Sequence, residues 1–96
     1  MLTKKYQVKE TIITVTAEEQ YHSVCVDSVM RSRGDLERYI FEAPFFKVTF
    51  EPYQCPVDAP EVVRRMVKAT ARVNVGPMAA VAGTIAWLAL EDMVKA

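Results

Sequence analysis

Residues 77–95 read PMAAVAGTIAWLALEDMVK, and how this stretch can be housed decides the fold. Pro77 suits the first position of a helix, where its missing N–H costs nothing. Ala79, Ala80, Ala82, Gly83, Thr84 and Ala86 put small side chains on several faces of that helix. Ile85, Trp87, Leu88 and Leu90 fill much of the rest. A helix that is apolar nearly all round must be surrounded. The remaining chain offers material to cover about half of it, so the sequence predicts a core that is not finished internally. The expected interface is Ala79, Ala82, Gly83, Ala86 and Trp87, covered by a protein partner or by a second copy.

Working outward, Val73-Asn74-Val75-Gly76 breaks a preceding helix. That helix places Val62, Val63, Met66, Thr70 and Val73 inward, with Arg64, Arg65, Lys68 and Arg72 facing solvent. Asp58-x-x-Glu61, with Pro60 in the first turn, reads as a capping box. Residues 44–58, PFFKVTFEPYQCPVD, hold three prolines and four aromatics and read as a connection pinned by its rings, with a possible short strand at Lys47 to Phe50. From Ala17 to Glu42 the period is helical. Tyr21, Cys25, Val29, Leu36 and Ile40 form one stripe, Thr16 is a candidate N-cap ahead of Glu18 and Glu19, and Pro44 is the stop. Gly34 is a weak point inside this helix, and a split into two helices is the alternative. Residues 3–16 alternate as strand, either as a hairpin turning at Lys9-Glu10-Thr11 or as one long strand. The fold class is α+β: an N-terminal hairpin or strand, then three main helices, in a single domain spanning 1–96.

The 96 residues carry 12 Lys+Arg against 12 Asp+Glu, a balance that argues against a nucleic-acid or polyphosphate binder. Two cysteines do not make a disulfide scaffold. The start, MLTKKYQVKE, has no apolar stretch behind its lysines, and the apolar run from Val75 to Leu90 falls short of the roughly 20 residues that cross a bilayer. A cytoplasmic protein without a membrane span is the expectation.

Candidate chemistry is sparse. His22 is the only histidine, so a two-His metal site within one chain is excluded, and the residue reads as an ordinary surface or edge histidine. Ser23, His22 and Asp27 lie too close along a helix to form a triad. Cys25 falls on the apolar stripe and reads as core; Cys55 sits in the connection between Gln54 and Pro56. Arg33-Gly34-Asp35 spells an adhesion tripeptide but lies in a helix. Neither catalytic nor metal-binding residues are assigned. The one local feature with binding potential is Gly76-Pro77-Met78, where free N–H groups at a helix start suit a phosphate or carboxylate.

These residues also carry a resemblance. KET at 9–11, RGDLERYI at 33–40, PFFKVTFEP at 44–52, DAPEVVRRM at 58–66 and VGPMAAVAGTIA at 75–86 resemble the uncharacterised protein family numbered 0280, a group related to the ApbE flavin transferases. The resemblance implies part of an ApbE-like α+β body, with members more than twice this length, so that the chain resembles their N-terminal half. ApbE enzymes move FMN from FAD to a protein threonine with magnesium. The resemblance therefore makes a flavin or nucleotide conceivable, although the family's flavin and metal residues are expected largely in segments beyond this stretch. Three functions follow: a non-catalytic interaction subunit that completes its core by assembly, half of an ApbE-like flavin or nucleotide site, or a homo-oligomeric small-anion-binding module.

Overall fold

The computed structural model describes all 96 residues, Met1–Ala96. The chain opens with an antiparallel hairpin, β1 (Leu2–Val8) and β2 (Thr11–Ala17), in the register Val8↔Thr11 to Leu2↔Ala17. The turn is Lys9-Glu10, with Lys9 in the left-handed region at φ 55°. Its ammonium and the Arg33 guanidinium both pair with Glu37, which ties the turn to the following helix and holds the Glu37 carboxyl below the usual carboxylate range.

A 3-10 turn (Glu19–Tyr21) leads into α1 (His22–Glu42), which runs unbroken through Gly34. The expected N-cap is wrong: Thr16 belongs to β2, where its hydroxyl bonds that of Thr3, and the helix begins six residues later. His22 explains the shift. It is 3% exposed rather than a surface residue, and its Nε2 lies 3.1 Å from the carbonyls of both Leu2 and Ala17. Carbonyls only accept, so Nε2 carries a proton, and Nδ1 lies 2.8 Å from the Tyr6 hydroxyl, which can complete the pair. Because Leu2 and Ala17 are paired at the open end of the hairpin, this one ring clasps both strands to the first turn of α1. Cys25, Val29 and Leu36 are buried on the expected stripe, with Ser28 and Ser32 beside them; burial raises the Cys25 thiol pKa.

Past Pro44 the expected strand is replaced by a single helical turn, α2 (Phe45–Val48). The turn drives Phe46 fully inside, edge-on to Tyr39 and Tyr53 at ring-centroid distances of 5.3 and 5.0 Å. An extended strand here has no neighbour to pair with, whereas three packed rings stabilise the turn. Helix α3 (Glu61–Ala71) buries Val62, Val63, Met66 and Thr70. The capping box does not form: Pro60 is the N-cap residue, no side chain caps it, and Glu61 bonds Arg65 one turn on. At its far end Asn74 takes φ 59°, its N–H reaching the Ala71 carbonyl while the Val75 N–H reaches that of Thr70. This Schellman closure satisfies the last carbonyls and turns Val73 outward, 66% exposed, against the inward placement expected of it.

A second 3-10 turn (Pro77–Ala80) then feeds α4 (Val81–Lys95), which lies along α1 and beside α3. Two ion pairs fix it. Arg31 of α1 holds Asp92, and Arg65 of α3 holds Glu91 through both guanidinium nitrogens at 2.7 and 2.9 Å. Arg65 is therefore a clamp between helices and not part of a solvated face. Arg64 is also engaged, its Nε donating to the Ala59 carbonyl at 2.8 Å.

Two expectations follow from this packing. At Gly76 a Cβ would overlap the Thr49 carbonyl oxygen and come within 2.9 Å of its carbon, so the α3–α4 connection crosses the residues after α2 with no room for a side chain. Gly76→Ala is expected to destabilise the fold by about 1–3 kcal/mol, read as a lower urea midpoint; an unchanged midpoint would show that the crossing is loose. The Arg65 hydrogen bonds hold the Glu91 carboxyl below the usual carboxylate range. A depressed folded value contributes stability that is present above the unfolded value of about 4.3 and is lost as pH falls through the folded one. The thermal midpoint of Glu91→Gln is expected to lie below wild type at neutral pH and to converge with it in acid.

Candidate functional site

Helix α4 has two sides. One holds Thr84, Ile85 and Ala89, buried against the body of the chain. The other presents Ala82, Gly83, Ala86 and Trp87 to solvent, and every one of these is exposed, Trp87 to 58%; Ala79, in the 3-10 turn before the helix, is exposed as well. At 100° per residue the four helical positions fall within one half of the helix, and Leu90 and Val94 continue the same stripe. Both are exposed as well. Neither was among the expected interface residues, although their spacing of three and seven from Trp87 marks them.

Gly83 sits in the middle of this stripe. A Cβ built on it meets nothing within 4 Å, in contrast to Gly76. A glycine in a helix interior costs about 1 kcal/mol relative to alanine. Inside this chain nothing is gained for that cost.

Hollows flank the stripe on both sides. Towards α3, a cavity of about 450 Å³ lies between Arg65, Ala69, Gly83 and Trp87. Towards the hairpin, two cavities of about 450 and 350 Å³ lie end to end, meeting at Ile13 and Ala86. The first is bordered by residues 10–13 and the second by residues 13–16, with Cys25 and Val29 of α1 also lining the second. The hairpin and α4 both rest on α1 and scarcely touch each other.

The predicted anion site has a different setting. Gly76 and Pro77 are buried, with Gly76 against the Thr49 backbone, and the Ala79 N–H is bonded to the Gly76 carbonyl. Met78 is half-buried and borders a cleft of about 560 Å³. Lys9, Arg33 and Lys47 converge on that cleft from the hairpin turn, α1 and α2, with Glu10 and Glu37 among them. Nothing in the residue spacing marks this grouping, because its three cations lie on separate elements. No three metal-ligating side chains gather anywhere in the fold. Cys55 is half-buried and unpaired, and the Tyr39 hydroxyl nearby has its pKa raised by burial and by its 3.3 Å contact with Tyr53.

By length and composition Pro77–Lys95, 19 residues, is apolar enough to cross a membrane, longer than the run read from the sequence. In the fold its C-terminal half carries Glu91 and Asp92, held by α3 and α1.

Comparison with known proteins places this architecture. A UPF0280 protein of Methanocella arvoryzae is 61% identical over 94 residues, covering 98% of this chain and 38% of that protein. A UPF0280 protein of Methanosarcina barkeri is 52% identical over 96 residues, covering 99% and 38%. One of Archaeoglobus fulgidus is 42% identical over 93 residues, covering 96% and 39%. The chain thus spans about two fifths of the length of the curated relatives it matches. The profile of the family described as "AbpE bacteria" matches residues 3–96, and with nearly the whole chain inside that match, it belongs to this family of UPF0280 proteins.

Proposed function

We propose that this chain is a non-catalytic assembly subunit whose exposed α4 face docks onto the part of the family fold that these 96 residues do not contain. The observation that carries the proposal is Gly83, a costly glycine whose missing side chain leaves room for nothing in its own chain. An occupant that packs against the bare helix backbone supplies the reason.

Areas agree in magnitude. A compact monomer of 10.8 kDa exposes about 5,500 Å². This chain exposes 6523 Å² and buries only 18 of its 96 residues. The excess of about 1,000 Å² is close to the roughly 800 Å² that each partner contributes to a standard interface. The radius of gyration, 14.0 Å, likewise exceeds the roughly 12.5 Å of a compact chain this long. Relatives that carry more than twice the length have the material to fill the deficit.

The test combines native mass with a variant that spares the free fold. Co-expressed with the remainder of the Methanocella arvoryzae relative, the chain is expected to form a defined complex with a blue-shifted Trp87 emission. Gly83→Leu leaves the isolated fold intact, since space around the new side chain is open, but is expected to weaken assembly at least tenfold. Wild-type assembly in that variant removes α4 from the interface. A folded monomer that ignores the co-expressed remainder overturns the proposal.

The Met78 cleft favours a second reading, in which the family fold is ApbE-like and assembly completes a flavin or nucleotide site. Lys9, Arg33 and Lys47 against Glu10 and Glu37 leave the cleft one net positive charge, which favours an anionic phosphate, and Lys47 is the cation not paired with Glu37. On this reading the assembled complex carries flavin absorbance or binds added FAD, and Lys47→Glu lowers the affinity. A colourless complex that does not respond to FAD eliminates it.

A further inference from the structure

The hollow between the hairpin and α4 is bordered by the turn residue Glu10 and then by consecutive residues of β2, Thr11 to Ile13 and Ile13 to Thr16. Side chains of one pleated face alternate along a strand, so an unbroken run means that the backbone edge itself borders the hollow. The sheet has only two strands, and the outer edge of β2 is unpaired. In an antiparallel ladder every second residue turns its N–H and C=O away from its partner. The tight turn closes Val8 onto Thr11, so Ile12, Thr14 and Thr16 are the residues that turn outward, towards α4.

The two strands differ in how their edges are protected. Open edges are usually blunted by lysine, by proline or by bulges. β1 reads LTKKYQV and carries Lys4 and Lys5. β2 reads TIITVTA, with no charge, no proline and four β-branched threonine or isoleucine residues before Val15. Across the hollow, the facing wall of α4 sets Ala82, Ala86 and Ala89 among larger apolar residues, Ile85, Leu90 and Met93, an apolar lining for side chains of an inserted segment.

We infer that β2 accepts one further extended strand, laid lengthwise between β2 and α4 and supplied by the part of the family fold outside these 96 residues. This deepens the assembly reading, on which it rests. The inserted backbone pairs with Ile12, Thr14 and Thr16. Apolar side chains on one face of the inserted strand reach Cys25 and Val29, which line the same hollow. A second copy of this chain does not suit the site. Its own β2 is bordered by its own α4, and a helix-flanked sheet edge does not enter a slot walled by a helix. A single strand does. Recognition of this kind draws affinity from main-chain hydrogen bonds and register from alternate side chains.

The experiment is amide hydrogen exchange on the chain alone and in complex with the co-expressed remainder of the Methanocella arvoryzae relative, with the intact relative as reference. The expected result is at least tenfold slower exchange at Ile12, Thr14 and Thr16 in the complex, equal slowing at the aligned amides of the intact relative, and no change at Lys5. Thr14→Pro removes one outward donor without touching the β1 ladder and is expected to weaken the complex at least tenfold. Lys5→Pro, its cross-strand partner on the opposite edge, is expected to leave affinity within about twofold. A complex that shields Trp87 while the three amides exchange as in the free chain overturns strand insertion and leaves α4 docking standing. Protection of those amides in a homodimer overturns the assigned occupant. Failure to form any complex overturns both.

Discussion

One side of α4 is bound and the other is not, and that imbalance organises the molecule. The bound side lies along α1, with Ile85 and Ala89 inside and the Arg31–Asp92 and Arg65–Glu91 pairs fixing its angle to α1 and α3. Once that angle is set, the hairpin and α4 become neighbours on α1 without meeting, and α3 stops short of Trp87. Each hollow around the stripe is a consequence of this placement. The Arg31 end of the first pair is exposed and the Arg65–Glu91 pair is part-buried, and surface pairs contribute at most modest stability. Their role is orientation: they decide which side of an almost uniformly apolar helix turns inward.

Much of this was legible in the residues. The period of α1, the composition of α4 and the alternation on either side of Lys9 each reflect a local rule that the fold obeys. What was not legible depended on distant partners. Residues 47–50 have strand-like composition, yet Phe46 packs between Tyr39 and Tyr53, and the ring cluster overrides propensity. Asp58 has the spacing of a cap, but helix α3 starts at Glu61, after Pro60. His22 looked peripheral because nothing next to it in sequence asks for a buried imidazole; its partners are the two ends of a hairpin that exists only after folding. The basic cleft was hidden for the same reason, since Lys9, Arg33 and Lys47 belong to three elements.

The three glycines show how one residue type carries opposite information. Gly34 lies in α1 with only the Arg38 side chain near it, at ordinary contact distance. Gly76 answers to the Thr49 backbone of the same chain, and Gly83 answers to nothing within it. From sequence the last two look alike, each within a few residues of Ala79 and Ala80. Only the fold separates a glycine that its own chain requires from one that it does not.

The clasp at His22 also bears on the order in which the molecule comes together. It joins residues only 5 to 20 positions apart, whereas the Arg31–Asp92 pair that seats α4 spans 61. Closing the longer loop costs about 1 kcal/mol more in chain entropy than closing one of 20. Low-separation contacts form first, and distant ones wait for them. On this ground hairpin and α1 are expected to condense as an early unit, and α4 to arrive last, apolar on both sides and not yet committed to either. A helix in that position meets α1 and α3 with an apolar surface on every side, so the ion pairs at Asp92 and Glu91 select which side turns inward only at the final step of folding.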